Sequence, residues 1–405
     1  MTAVVNSLQD FLDARLAERR AQQLYRKHKV LAAAPGPVAE VDGRTLVTFS
    51  SNDYLGLATH PDVIAAQQHG AALGAGATAS HLVNGHFDIH QQLQNKIAEV
   101  TGREAALLFG SGYMANVGVI NALVGRGDFV VQDKLNHASL IDGGRISGAQ
   151  YLRFAHNDLE ALEVQLRRAR EKNSGKTLLA VDGVYSMDGD TAPLVQMAAL
   201  CQRYDAWLMV DEAHGFGVMG NAENPSAGSA AAAGLDQHSA PILMGTLGKA
   251  AGNAGAFVAG SKALIEYLTQ FARTYIYTTG MPPAVAAGCL RALELMQQQP
   301  LRETLQQRID YFRERAATLQ LPLENSTSAI QPLVLGCEQT VLTVAERLQE
   351  AGFLVGAIRP PTVPAGTARL RITLSAAHSE AQIDGLLHAL VQVLGQALRA
   401  VEAPA

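Results

Sequence analysis

Lys249 lies in Gly245-Thr246-Leu247-Gly248-Lys249-Ala250, directly after the apolar run 242–244. Most lysines are solvated surface charges. This one is flanked by apolar runs and by small residues, which let backbone come close to a ligand. Burial in such a setting disfavours the ammonium form. An amine without its proton adds to aldehydes, so Lys249 is a candidate Schiff-base lysine. Asp211-Glu212-Ala213-His214 follows the apolar run 207–210. An acid at a strand end often only caps a helix or a loop. It also suits pairing with a cationic ring nitrogen: two opposite charges about 4 Å apart attract by about 4 kcal/mol at an effective dielectric of 20. His214, three residues on, is placed to hydrogen-bond another edge of the same ring.

Gly110-Ser111-Gly112-Tyr113-Met114-Ala115-Asn116 separates an apolar run from a helical pattern. A helix N-terminus offers free N–H groups to a phosphate, although a Gly-rich turn can also be only a turn. Thr246 and Ser186 add hydroxyls at other strand ends. His137, in Lys134-Leu135-Asn136-His137-Ala138-Ser139, follows another apolar run. Arg359 precedes Pro360 and is therefore held extended; arginine pairs bidentately with carboxylates. Alone, either residue reads as structural. Two glycine patterns mislead. Gly215-x-Gly217-x-x-Gly220 follows a strand, but the next residues, Asn221-Ala222-Glu223-Asn224-Pro225, start a helix poorly. Gly74-x-Gly76-x-x-Ala79 follows a helical pattern. Neither has the strand–turn–helix context of a dinucleotide fingerprint.

The elements that must carry these residues alternate. Short apolar runs at 105–109, 129–131, 178–181, 207–210, 242–244 and 256–259 mostly alternate with helical stretches such as 114–123 and 194–204. That rhythm predicts a mainly parallel sheet covered by helices on both faces. The last two runs are joined by a Gly-rich stretch without a helix, so one strand is expected to be antiparallel. Pro61 suits a first helical turn. Asp88 is expected to cap the helix carrying Ile89, Leu93, Ile97 and Val100, with Gly102 as its stop. An amphipathic helix from Leu8 is expected to run toward Val30, broken at 33–37. After about 285, helices at 284–298, 301–319, 340–352 and 379–401 and strands at 330–335 and 368–374 suggest an α+β unit. The expected division is a helix-and-strand segment at 1–55, a large domain at 56–285 and a smaller domain at 286–405.

With 405 residues, 48 % of them hydrophobic, the chain can fill large cores; a charged share of only 17 % fits a large or oligomeric protein. A net charge of −5 offers no electrostatic case for nucleic acid or an anionic membrane. Cys201, Cys289 and Cys337 are odd in number and without CxxC spacing, so neither a disulfide framework nor a zinc site is expected. No apolar h-region opens the chain and no apolar run reaches about 18 residues. A cytoplasmic setting is expected.

Taken in order, these segments resemble the α-oxoamine synthases, pyridoxal-phosphate (PLP) enzymes of fold type I. The resemblance runs from Ser51-Asn52-Asp53-Tyr54-Leu55-Gly56-Leu57 to Arg371. Between them come the Gly-rich turn, His137, Ser186 in Gly183-Val184-Tyr185-Ser186-Met187-Asp188-Gly189-Asp190, Asp211 with His214, and Thr246 with Lys249. Two segments resemble the branch that joins L-alanine to a pimeloyl thioester in biotin biosynthesis: 51–57, and Ile358-Arg359-Pro360-Pro361-Thr362-Val363-Pro364-Ala365-Gly366-Thr367-Ala368-Arg369-Leu370-Arg371. A sister branch using glycine and acetyl-CoA, and a non-catalytic subunit of the same fold, are the alternatives.

The resemblance implies a large domain built on a seven-stranded, mainly parallel sheet, a smaller α+β domain, and a homodimer with shared active sites. It implies that Lys249 holds PLP covalently, Asp211 pairs with the pyridine nitrogen, and His137 stacks on the ring and meets the substrate. His214 and Ser186 would lie at the ring's phenolic oxygen, and Gly112, Tyr113 and Thr246 at the phosphate. Thr278 or Thr279 would reach the partner's phosphate. Arg359 would bind the amino-acid carboxylate, Thr362 the substrate, and Arg26 the acyl substrate. The acyl carrier is coenzyme A or a carrier protein, and no metal is implied. His81 stands where relatives often have Arg, and Asp182 where many have Glu; either departure could change acyl-chain contacts, and neither removes a cofactor residue.

Overall fold

The computed structural model describes residues 7–22, 24–32, 36–172 and 175–402. The strands are β1 (Val38–Val41), β2 (Arg44–Phe49), β3 (Ala105–Phe109), β4 (Phe129–Asp133), β5 (Gln150–Phe154), β6 (Thr177–Asp182), β7 (Trp207–Asp211), β8 (Ile242–Thr246), β9 (Ala256–Gly260), β10 (Ile330–Gly336), β11 (Phe353–Ile358) and β12 (Ala368–Thr373). Seven of them form one sheet in the order β3-β9-β8-β7-β6-β4-β5. Its interior strands are apolar almost throughout because helices cover both faces. Along β6, Leu179 and Val181 join the core on one face, and Leu178 and Ala180 the core on the other.

The antiparallel strand expected from the Gly-rich stretch is β9, which runs against both β3 and β8. A parallel return would need a crossover of a dozen or more residues, and 247–255 is too short for one. Strand β5 was not foreseen: it is an edge strand with alternating burial, and Arg153 interrupts its short apolar pattern.

The second sheet has the order β1-β2-β11-β12-β10. Strand β2 lies parallel to β11, so the chain's early hairpin completes a sheet built from its last third. That pairing carries 51–57, just after β2, toward the first sheet.

Two local expectations need correction. The N-terminal helix spans Leu8–Ala21 and does not continue to Val30; 24–30 has no regular structure, and part of the predicted break, 33–35, lies outside the described residues. Asp88 is the first helical residue and not the cap. Phe87 holds the N-cap position of helix Asp88–Thr101, and its N–H donates to the His90 ring at 2.9 Å. The capping contact is made instead by the His90 ring, which reaches back to the N-cap N–H, while Asp88 accepts from Gln92 one turn on. Gly102 ends this helix at φ 63, a left-handed conformation that suits glycine.

Candidate active site

The carboxyl ends of parallel strands are where open α/β sheets place ligands. Here they gather the predicted residues. Strands β6 and β7 end on Asp182 and Asp211, which are register partners. Strand β8 ends on Thr246, and Lys249 sits in the bend that follows. The bend closes on Gly252, at φ 64; a Cβ there would meet the Ala58 nitrogen at 2.3 Å, so only glycine lets it pack on 57–58.

Lys249 Nζ lies 3.1 Å from His214 Nε2. The other ring nitrogen, Nδ1, lies 2.5 Å from Tyr54 Oη. Burial pushes His214 well below its ordinary pKa, and the charges of Lys249 and Arg371 push the same way. His214 is therefore a neutral imidazole. Burial also lowers the Lys249 pKa, against the pull of Asp211 and Asp182. Burial thus disfavours the ammonium form of Lys249 beside an uncharged ring.

Asp211 is buried. Its Oδ2 accepts from Asn116 Nδ2 at 2.8 Å and its Oδ1 from the Ala213 N–H at 2.9 Å. The same Asn116 amide donates to Ser139 Oγ, which lies 2.7 Å from His137 Nδ1. The His137 N–H donates to Asp182 Oδ2 at 2.7 Å. Burial raises the Asp182 pKa well above the usual range, and the Asp211 charge raises it further. The Asp182 departure thus sits under the His137 backbone, in contact with the site's frame.

Gly112 and Tyr113 open helix Gly112–Leu123, directly beyond β3. Ser111 caps this helix by accepting from the Met114 N–H. The Tyr113 hydroxyl donates to Asp142 Oδ2 at 2.5 Å, which leaves its backbone N–H as the group to offer a ligand. Thr246 Oγ1 donates to the Gly255 carbonyl and accepts from the Gly248 N–H. The Ser186 carbonyl accepts from Arg371 Nε at 2.6 Å. Thr278 and Thr279 lie in the irregular stretch after helix Arg273–Ile276. Arg26, Arg359 and Thr362 line one cavity of about 1220 Å³ with Lys29 and Ser51.

Five residues of this constellation stand in the quoted motifs but received no role from the sequence: Asn52, Tyr54, Asn116, Ser139 and Arg371. Arg371 is buried, donates twice to Asn52 Oδ1 at 3.2 Å, and its charge acts on both Lys249 and His214. A signal was available. In Ala368–Thr373 two arginines alternate with Leu370 and Ile372, and a charge repeated on one face of a buried strand needs a partner. Arg369 finds Asp188. The failed dinucleotide pattern at 215–220 lies in turns with no helix directly after it.

These residues fit a PLP molecule on three counts. Lys249 is an amine whose ammonium form is disfavoured. Asp211 is a buried carboxylate that accepts only neutral amide donors among the hydrogen bonds described. The helix start at Gly112 offers N–H groups to a phosphate.

Comparison with known proteins follows the same line. The model for the family "Aminotransferase class I and II" matches residues 44–390. The 8-amino-7-oxononanoate synthase of Cellvibrio japonicus is 55 % identical over 389 residues, covering 96 % of each chain. The solved serine palmitoyltransferase of S. paucimobilis, with PLP and myriocin bound, superposes with a TM-score of 0.90 at 30 % identity over 97 % of this chain and 99 % of that one. The solved 8-amino-7-oxononanoate synthase of Francisella tularensis has a TM-score of 0.72 at 30 % identity, over 87 % and 98 %. By fold and by near-full-length identity, the chain belongs to the 8-amino-7-oxononanoate synthase family, within the wider class I and II aminotransferase group.

Proposed function

We propose that this chain is a PLP-dependent C-acyltransferase that condenses L-alanine with a pimeloyl thioester. The products are 8-amino-7-oxononanoate, carbon dioxide and the free thiol, a step of biotin biosynthesis. The observation that carries the reading is the Lys249 amine, 3.1 Å from a neutral His214 and beside the buried Asp211.

Lys249 would hold PLP, with Asp211 at its ring nitrogen, His137 against the ring, Ser186 and His214 near its oxygen, and Gly112, Tyr113 and Thr246 at its phosphate. Bound PLP supplies an electron sink for a carbanion at the amino-acid α-carbon. Lys249 Nζ is the base for the α-proton: burial disfavours its ammonium form and so eases the release of the lone pair that takes the proton. His214 and Tyr54 form a relay of hydrogen bonds that fixes where Nζ points.

The carboxylate partners divide by position. Arg359 was assigned to the alanine carboxylate by resemblance alone. Arg371, with Asn52, suits that carboxylate better, because its charge is felt at Lys249 and His214. Arg359, Thr362 and Arg26 share the large cavity and suit the free carboxylate of the pimeloyl chain. Coenzyme A and a carrier protein present the same pantetheine arm, and rates with each donor tell them apart. We place the enzyme in the cytoplasm as a homodimer with shared sites. Among the described residues, no helix is long and apolar enough to cross a membrane.

The test is carbon dioxide release from alanine in the presence of pimeloyl thioester. Lys249→Ala should abolish it, together with the visible absorbance of the PLP-loaded protein. A Lys249→Ala protein with wild-type turnover would refute the assignment. Glycine with acetyl-CoA turning over faster than alanine with pimeloyl-CoA would move the chain to the sister branch. Retention of Lys249, Asp211 and His214 argues against a non-catalytic subunit.

A further inference from the structure

Three histidines converge where 80–87 enters helix Asp88–Thr101, apart from the Lys249 site. His81 Nδ1 and His86 Nδ1 lie 3.0 Å apart. His90 joins them, and one nitrogen from each of the three lies within 4.8 Å of the others. The ring centroids are 5.1, 5.0 and 5.6 Å apart.

The surroundings hold two of the rings in place. His81 is buried and stacks on Tyr275 at 5.5 Å. His90 is buried, and its Nε2 donates to the Met281 carbonyl at 2.8 Å. A backbone carbonyl on one ring nitrogen is the usual means of orienting an imidazole whose other nitrogen ligates a metal. His81 and His86 also line a cavity of about 490 Å³, which gives an ion a way in.

Zinc binds imidazole nitrogen at about 2.0–2.1 Å, so nitrogens in a tetrahedral set sit roughly 3.3 Å apart. The His81–His86 pair is already near that spacing. The widest spacing among the three nearest nitrogens, at most 4.8 Å, must close by roughly 1.5 Å at most. Because Nε2 is held by the Met281 carbonyl, His90 would offer Nδ1, in exchange for its bond from the Phe87 N–H.

We propose that His81, His86 and His90 bind one divalent transition ion of the Zn²⁺, Ni²⁺ or Cu²⁺ class, with the cavity side of the ion left to water. The ion replaces the hydrogen bond between His81 and His86. The proton on that Nδ1 moves to Nε2 of its own ring, so all three ligands stay neutral. Bound there, the ion fastens the 79–90 segment to 280–281, already joined by Gly280 N–H to Ala79 O and by His90 to Met281. Thr278 and Thr279 immediately precede that join.

The experiment is calorimetric titration of ZnCl₂ into PLP-loaded protein stripped of metal by chelator. One ion per chain is expected for wild type, bound at least about tenfold more weakly by His86→Ala and restored by His86→Cys, which offers a thiolate. Wild-type protein with no one-to-one site overturns the proposal whatever the variants do. So does His86→Ala that folds, by circular dichroism, and binds as wild type does.

Discussion

Arg359 and Arg371 stand twelve positions apart in one segment, yet their surroundings separate them. Arg371 is buried, held by Asn52, Thr373 and the Ser186 carbonyl. Arg359 lines the large cavity with Arg26 and Thr362. A lysine substitution keeps the charge but loses the planar fork. Arg371→Lys should therefore lower kcat/KM for alanine by about 100-fold, the worth of roughly 2.7 kcal/mol, and leave KM for the thioester almost unchanged. Arg359→Lys should raise KM for the pimeloyl thioester and spare alanine. Steady-state rates with each substrate varied in turn decide it; the reverse pattern would return the alanine carboxylate to Arg359. At this scale the chemistry-bearing residues that follow strands directly were legible: Lys249, Asp211, His214 and His137. Tyr54 was not, because its partner His214 is 160 positions away. Asn52 was not either, being 319 positions from Arg371. Nothing local in Ser51–Leu57 reveals which distant strand it will meet.

Between elements, His156 acts as a clamp. It follows β5, and its ring lies 3.1 Å from Asp133 at the end of β4 and 2.8 Å from Asp190 in the 183–191 loop. Burial alone would push its pKa down, but the hydrogen bonds and charges of Asp133 and Asp190 overcome burial and raise it to about 10. A folded-state pKa above the unfolded value near 6.5 means that the folded protein binds the proton more tightly. The stabilisation is complete below about pH 6.5 and disappears as pH climbs toward 10. Breaking a paired, partly buried charge costs about 3 kcal/mol. His156→Gln should thus be less stable by that order at pH 6, and the gap to wild type should shrink steadily as pH approaches 10. Urea unfolding across that range measures it; a gap that is constant with pH would mean the ring is neutral in the folded state. The clamp also ties the strand end preceding His137 to the loop bearing Ser186, so both walls of the site depend on it. No sequence pattern announced His156, because a His-Asn-Asp stretch after a strand is also an ordinary turn.

For the molecule as a whole, the proposed sharing of active sites between subunits makes a quantitative expectation. If Thr278 and Thr279 complete the partner's site, a Thr278→Ala/Thr279→Ala chain and a Lys249→Ala chain are defective in different halves of each site. Mixed dimers then hold one doubly defective site and one intact site. With random pairing, half the dimers are mixed, so co-refolded protein should recover about a quarter of wild-type activity. Activity assays on the separate and mixed preparations test this. No recovery, with dimers confirmed by sedimentation, would mean that each site is built from one chain.

Composition, alternating apolar runs and strand-end motifs were enough to place the parallel sheet, its antiparallel β9, the lysine and its acid. Those features are local: a strand shows itself by what it buries, and a motif by what it adjoins. The joining of β2 to β11 was not local. Neither was the neutral state of His214, which follows from burial and from charges at Lys249, Arg371 and His137. Nor was the meeting of three histidines beside Tyr275. Register, burial and electrostatic environment are set by which distant segments pack together, and only the folded chain decides that.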